Sequence, residues 1–286
     1  MTAADPNAPI SAKHREVLAR AVRRLENTSL AKQLADLAGR PVGKALTSVP
    51  EPLKSRLDKA AEKAILRCLD VAVKSLMPTK KPPMTRVAAM LAGFSGGVGG
   101  LLGVAGLPLE LPVTTILILR AIANIARHQG EDLSKLEARL ACIEVFALGA
   151  ASTKNQTAAL GYFASRALFA RLSSDAMNFF VERGVAGASA PVINRFVSEV
   201  AARFGIVVSE RVAASAIPVI GAVSGAAVNV VFMNYFQELA RGHFAVRRLE
   251  RLYGSDIVER EYERLVEANT ARAFLETPRS KSDAVP

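Results

Sequence analysis

The sequence predicts an all-α protein, a multi-helix bundle whose central helices are glycine-rich and closely packed. Three observations carry that prediction. Apolar residues recur every three to four positions over most of the chain, as on the buried face of a helix. No run of alternating apolar and polar residues is bounded by hairpin turns. The composition is 50% hydrophobic but only 6% aromatic, with no Trp, which suits helices in close contact better than stacked sheets.

In chain order, residues 11–38 and 53–76 read as amphipathic helices. The second places Leu57, Ala61, Ala64, Cys68, Val71 and Leu76 on one face, with Lys59, Lys63, Arg67 and Lys74 elsewhere. Pro41, Pro50 and Pro52 interrupt the chain between them, since proline cannot continue a helical ladder. "MPTKKPPM" at 77–84 is a second break. It divides the chain into a basic helical region (1–86) and an apolar helical core (87–275), followed by a disordered tail (276–286).

Two uncharged runs dominate the core, Val87–Leu109 and Val212–Gln237. Either exceeds the roughly 20 residues that a bilayer span requires. Gly93/Gly97, Gly96/Gly100, Gly99/Gly103 and Gly221/Gly225 form GxxxG pairs, which let helices approach closely. Against spanning stand the glycines themselves, Pro218, and the amides of Asn229 and Asn234. Integral, peripheral and wholly soluble packing all remain open at this level. Between the runs, Pro112 is placed to open a helix ending near Gln129, with Gly130 as its C-terminal cap. Ser134 and Glu137 have capping-box spacing for a helix through about Ala150. Gly184 and Gly187 separate two further helical stretches, and highly charged helices follow residue 237.

Charge is unevenly placed. Residues 1–86 hold 17 Lys/Arg against 8 Asp/Glu, whereas the remaining 200 hold 20 against 18. A basic segment suits nucleic acid or an anionic membrane. Those 86 residues contain no Phe, Tyr or Trp, so they offer no platform for stacked bases. The expected partner is therefore an anionic membrane surface and not nucleic acid. Cys68 and Cys142 match no metal or redox spacing and read as buried thiols in a reducing compartment. No apolar leader is visible in the amino-terminal residues, so the expected location is cytoplasmic and membrane-associated.

Candidate chemistry lies where polar residues persist among apolar ones. Glu110 is flanked by prolines, at the expected positive end of a helix. Arg120, Asn124 and Arg127 share a helix face, either solvated or forming a polar seam in which Arg120 pairs with Glu110 or Glu144. Glu144 is the one charge in "ACIEVFALGA" and needs a partner, protonation or a pocket. Asn229 and Asn234 need partners if buried. An enzyme reading gathers Glu110, Glu144, Glu238 and His243 as a hydrolase site, although no HExxH or Glu-x-x-His pair is present. "GFSGG" at 93–97 matches a nucleophile elbow in letters only, because its flanks are helical. No cofactor or metal is expected.

The chain also resembles the EcsC protein family, through "GLPLELPVTTILILRAIANIARHQGEDL" at 106–133, "ARLACIEVFALGA" at 138–150 and "AIPVIGAVSGAAVNVVFMNYFQELARGHFAVRRLERLYG" at 216–254. The resemblance covers about residues 55–265. It implies a bacterial protein from a family named after a gene neighbour of an ABC transporter's components, and hence a transporter or other membrane protein as partner. Some members carry a peptidase designation. Together, residues and resemblance lead to an expected non-enzymatic, membrane-associated helical protein with an envelope or transport-accessory role. The alternative is a metal-dependent hydrolase or peptidase.

Overall fold

Serine side chains set the first two helix starts. In the computed structural model, Ser11 and Ser29 each precede a helix, and their Oγ atoms accept from the amides of His14 and Lys32 at 3.3 Å. Such N-caps satisfy donors that a helix cannot satisfy itself. The expected helix over 11–38 is accordingly two, α1 (Ala12–Glu26) and α2 (Leu30–Ala38). The structure describes residues 10–26, 29–38, 51–74, 99–149, 158–183, 191–215 and 225–276. Among these there are nine helices and no strand, so the chain is all-α.

The other helices are α3 (Glu51–Lys74), α4 (Gly99–His128), α5 (Leu136–Leu148), α6 (Ala158–Arg183), α7 (Pro191–Ser215), α8 (Gly225–Tyr253) and α9 (Ser255–Glu276). Helix α7 opens on a proline, at the position where the missing N–H costs least. Two boundaries correct the sequence reading. Pro112 does not open a helix, because α4 begins at Gly99 and runs through both Pro108 and Pro112. Leu111 and Pro112 are buried where α4 packs on α3, α8 and α5, and that packing overrides proline's interior penalty of about 3 kcal/mol. No capping box forms at Ser134. Lys135 holds the N-cap position without a side-chain bond, while the Ser134 hydroxyl donates to Asp132 Oδ1 at 2.6 Å. Of the uncharged run 212–237, the part to Ser215 belongs to α7 and the part from Gly225 to α8, and the part between lies outside the described residues.

The end of α4 is as expected. Gly130 adopts φ +83°, its amide donates to Arg127 O, and the Glu131 amide donates to Ala126 O, both at 3.0 Å. That pair of bonds is a Schellman closure, which only glycine enters without strain.

Helix α5 is the centre. Every residue from Ala138 to Leu148 is buried, and α3, α4, α6, α7 and α8 all pack on it. A helix apolar all round must be enclosed in this way. Phe146 meets Phe204 and Phe236, and Phe232 extends the aromatic cluster. The basic amino-terminal helices share the same core: α1 lies on α8 and α9, α2 on α7 and α8, and α3 on α4 and α7. Arg139 of α5 donates to Ala72 O at 2.7 Å, placing a cation at the negative end of α3.

Among the described residues no helix is long and apolar enough to cross a membrane. Residues 75–98, which include the expected domain break at 77–84, Gly93 to Gly97 and most of the run 87–109, lie outside the described residues, as do Gly221 and the tail beyond Glu276. The close approach that can be described involves a different glycine. A Cβ at Gly242 would stand 2.7 Å from Leu25 Cγ and 3.2 Å from the Ala21 carbonyl, so α1 rests directly on the α8 backbone there.

Candidate functional site

Helical spacing brings a polar layer into the apolar core. On α6, Tyr162, Arg166, Phe169 and Ser173 recur at four, three and four residues. On α8, His243, Arg247 and Glu250 recur at four and three. Each set therefore shares one face, and α5 contributes Glu144. Arg166 forms a two-pronged ion pair with Glu250 and lies 5.6 Å from the Tyr162 ring centre. Tyr162 stacks on Tyr262 of α9, whose hydroxyl donates to Glu26 of α1. Arg247 Nε donates to Glu131 Oε1 at 2.9 Å, and Arg251 Nη2 donates to the Gln129 carbonyl at 2.7 Å. Two α8 arginines thus clasp the loop after α4.

The electrostatics follow from burial. Glu144 accepts a hydrogen bond from the Ser173 hydroxyl. Burial pushes its carboxyl up, against the opposing pull of Ser173, Arg247 and Arg166. His243 is fully buried, with Nδ1 3.1 Å from the Tyr162 hydroxyl. Burial holds its basicity well below the usual range, and the fields of Arg166 and Arg247 disfavour a further positive charge. Nε2 has no hydrogen-bond partner among the described residues. A neutral imidazole and a carboxyl biased toward its neutral form therefore supply polarity inside the core.

The opposite side of α8 is open. There Glu238 binds two guanidinium groups, accepting from Arg24 Nε of α1 at 2.7 Å and from Arg241 Nη1. Beside them lies a cavity of about 280 Å³ lined by Arg24, Ala121, Asn124, Ile125, His128, Gln129, Gln237 and Arg241.

The model of the EcsC protein family matches residues 12–249. The chain belongs to the EcsC protein family. The EcsC match begins well before the residue near 55 from which the resemblance was expected, so it takes in α1 and α2, which are integral to the core. No curated protein and no solved structure matches the chain.

Within this EcsC chain the sequence candidates scatter. Glu144 and His243 lie in the polar layer, but Glu238 is on the far side of α8, half-exposed between its arginines. Glu110 is part of α4, and its side chain lies outside the described residues. The expected Arg120–Glu144 pair does not form: Arg120 is exposed, Glu144 is buried, and the cations whose fields reach Glu144 are Arg247 and Arg166. Arg127 is also exposed and Asn124 half-buried. Asn229 is buried and accepts from Arg211, whereas Asn234 is exposed and needs no internal partner. Among the described residues no group of three or more His, Cys, Asp or Glu could hold a metal. Cys68 and Cys142 are buried free thiols whose acidity burial suppresses.

Sequence reasoning missed Arg166, Arg247, Glu250 and Tyr262. Their signal was present as charged and hydroxyl side chains at helical spacing on α6, α8 and α9, in stretches read only as helical or highly charged.

Proposed function

We propose that this EcsC-family protein is a peripheral, non-enzymatic binding module of anionic membranes, working at a cytoplasmic leaflet as an accessory to membrane proteins. The observation that carries the reading is a stripe on α3. Arg56, Lys59, Lys63 and Arg67 follow one another at three, four and four residues, and all four are exposed. No ion pair occupies any of them among the described residues. Exposed Leu66 and Val71 flank the stripe, which gives it the mixed cationic and apolar character of an interfacial surface. Val71, expected on the buried face, is thereby turned outward.

The magnitudes suit reversible contact. Each Lys or Arg near an anionic surface contributes about 1 kcal/mol, so four give about 4 kcal/mol, which corresponds to binding near the millimolar range. Asp70 on the same face reduces this, and the two apolar side chains add to it. The non-enzymatic part of the reading rests on Glu144 and His243, which are buried in the core and do not line the described cavity.

Flotation with phosphatidylcholine vesicles carrying phosphatidylglycerol tests the proposal. The protein should float with them at low salt, remain free with phosphatidylcholine alone, and be released at high salt because screening weakens surface electrostatics. Equal recovery with neutral and anionic vesicles would sink it.

A further inference from the structure

We propose that the cavity between α1, α4 and α8 is a binding site for a small phosphate-bearing ligand. This site lies apart from the α3 stripe, and neither reading depends on the other.

The polar part of the lining is rich in donors. Glu238 engages Arg24 through Nε and Arg241 through Nη1, which fixes both guanidinium planes and leaves the Nη pair of Arg24 unspent by that contact. Gln237 Oε1 accepts from Arg241 Nη2 at 3.2 Å, and Gln129 Oε1 accepts from Arg248 Nη1 at 3.5 Å. Both amides therefore have their oxygens committed and their NH2 groups available. Asn124 and His128 line the cavity and have no side-chain hydrogen bond among the described residues. No carboxylate lines it, and each oxygen of the neighbouring Glu238 accepts from a guanidinium.

Guanidinium and amide donors from three helices exceed what the two oxygens of a carboxylate can accept. They suit the three terminal oxygens of a phosphomonoester. Arg120 and Arg127, exposed on the same α4 face, raise the positive potential at the entrance. Ala121 and Ile125 form an apolar wall for a short carbon body. A volume of about 280 Å³ is at the small end for ligand sites and fits a phosphate with a few carbons.

The same chemistry is offered by a free phosphate ester and by a monoester lipid headgroup, so the experiment has two arms. Calorimetric titration uses glycerol 3-phosphate at constant ionic strength, with chloride as the control anion. Flotation uses vesicles containing phosphatidic acid. The site is expected to bind glycerol 3-phosphate saturably, and Asn124→Leu and Arg241→Gln are each expected to weaken it at least about tenfold, or 1.4 kcal/mol. Asn124→Leu breaks no ion pair, so its thermal unfolding without ligand should match the parent. Substituting Arg56, Lys59, Lys63 and Arg67 by Gln should leave the titration unchanged. Flotation with phosphatidic acid that Asn124→Leu reduces, without binding of the free ester, assigns the headgroup as the source. No saturable binding in either arm, or binding that ignores both cavity variants, overturns the proposal.

Discussion

Helices α1 and α3 read alike in sequence and differ in the fold. Both are basic and amphipathic, and both bury a full apolar face, Leu18, Ala21, Val22 and Leu25 on α1 and Leu57, Ala61, Ala64, Ile65 and Cys68 on α3. Their cations differ in what they meet. On α1, Arg15 pairs with Glu261, Arg20 with Glu16 and Arg24 with Glu238. The four α3 cations are unpaired among the described residues. Formal charge counted along a sequence is therefore not the charge available to a partner. Three of the five α1 cations are neutralised within the protein, whereas the α3 stripe keeps its four.

The largest effects should show that the two helices are equally structural. Leu18→Ala and Ile65→Ala each remove a fully buried side chain and should cost about 2–5 kcal/mol in denaturant unfolding. An α3 variant that unfolds without affecting the rest of the molecule would break the comparison. The next effect should separate them. Changing Arg56, Lys59, Lys63 and Arg67 together to Gln should reduce affinity for phosphatidylglycerol vesicles by roughly two to three orders of magnitude. Folding stability should stay within about 0.5 kcal/mol. Changing Arg15 and Arg20 to Gln should move vesicle binding by less than about threefold, because exposed pairs contribute little either way.

Smaller is the effect of Gly242→Ala, which forces the new Cβ against Leu25 and the Ala21 carbonyl. Overpacking costs about 1–3 kcal/mol, and alanine's better helix propensity returns about 1. A net loss of about 1 kcal/mol, read by thermal unfolding, would confirm that α1 is seated on the α8 backbone. Distinct from these is a pH dependence at the α1–α9 contact. Burial pushes Glu26 from its ordinary 4.5 up to about 7, against the pull of Tyr262. The folded state then holds a proton that the unfolded state has released, so stability falls as pH rises from about 4.5 to 7. Glu26→Gln should make that part of the profile shallower, leaving the share of Glu210, which burial also pushes up to about 7. His243 acts in the opposite direction, costing stability as pH drops below 6.5, where the unfolded chain gains a proton that the core excludes.

Helices such as α1 and α3 were legible because each buries one periodic face, and Gly130 announced its turn through the only residue type that enters it freely. Helix ends were less legible where packing overrode local chemistry, as at Pro112, or where a nearer side chain took the hydroxyl, as Asp132 takes Ser134. The candidate site was half legible. Glu144 and Asn229 do need partners, as lone polar groups among apolar ones must. Their partners, Ser173 and Arg211, are 29 and 18 residues away, and such pairings depend on how helices are arranged in space and not on spacing along one of them. Asn234 misled because its uncharged surroundings resembled a buried run, although it faces water. The α3 stripe was visible as the polar side of that helix, but only the fold shows that its four cations are in no ion pair among the described residues.

The two prolines of α4 have a consequence for how that helix opens. Neither residue 108 nor residue 112 carries an amide hydrogen, so the carbonyls of Val104 and Pro108 receive no donor from the next turn. These gaps are four residues apart and fall on one stripe of the cylinder. At the neighbouring position the Thr115 hydroxyl donates to the Leu111 carbonyl at 2.7 Å, adding a side-chain bond where the ladder is thinnest. In deuterium exchange, α4 should therefore behave as two segments: a slow one from Thr115 to His128, sealed by the Gly130 closure and the α8 arginines, and a faster one before Leu111. A helix continuous in shape is in this way divided into two units of opening.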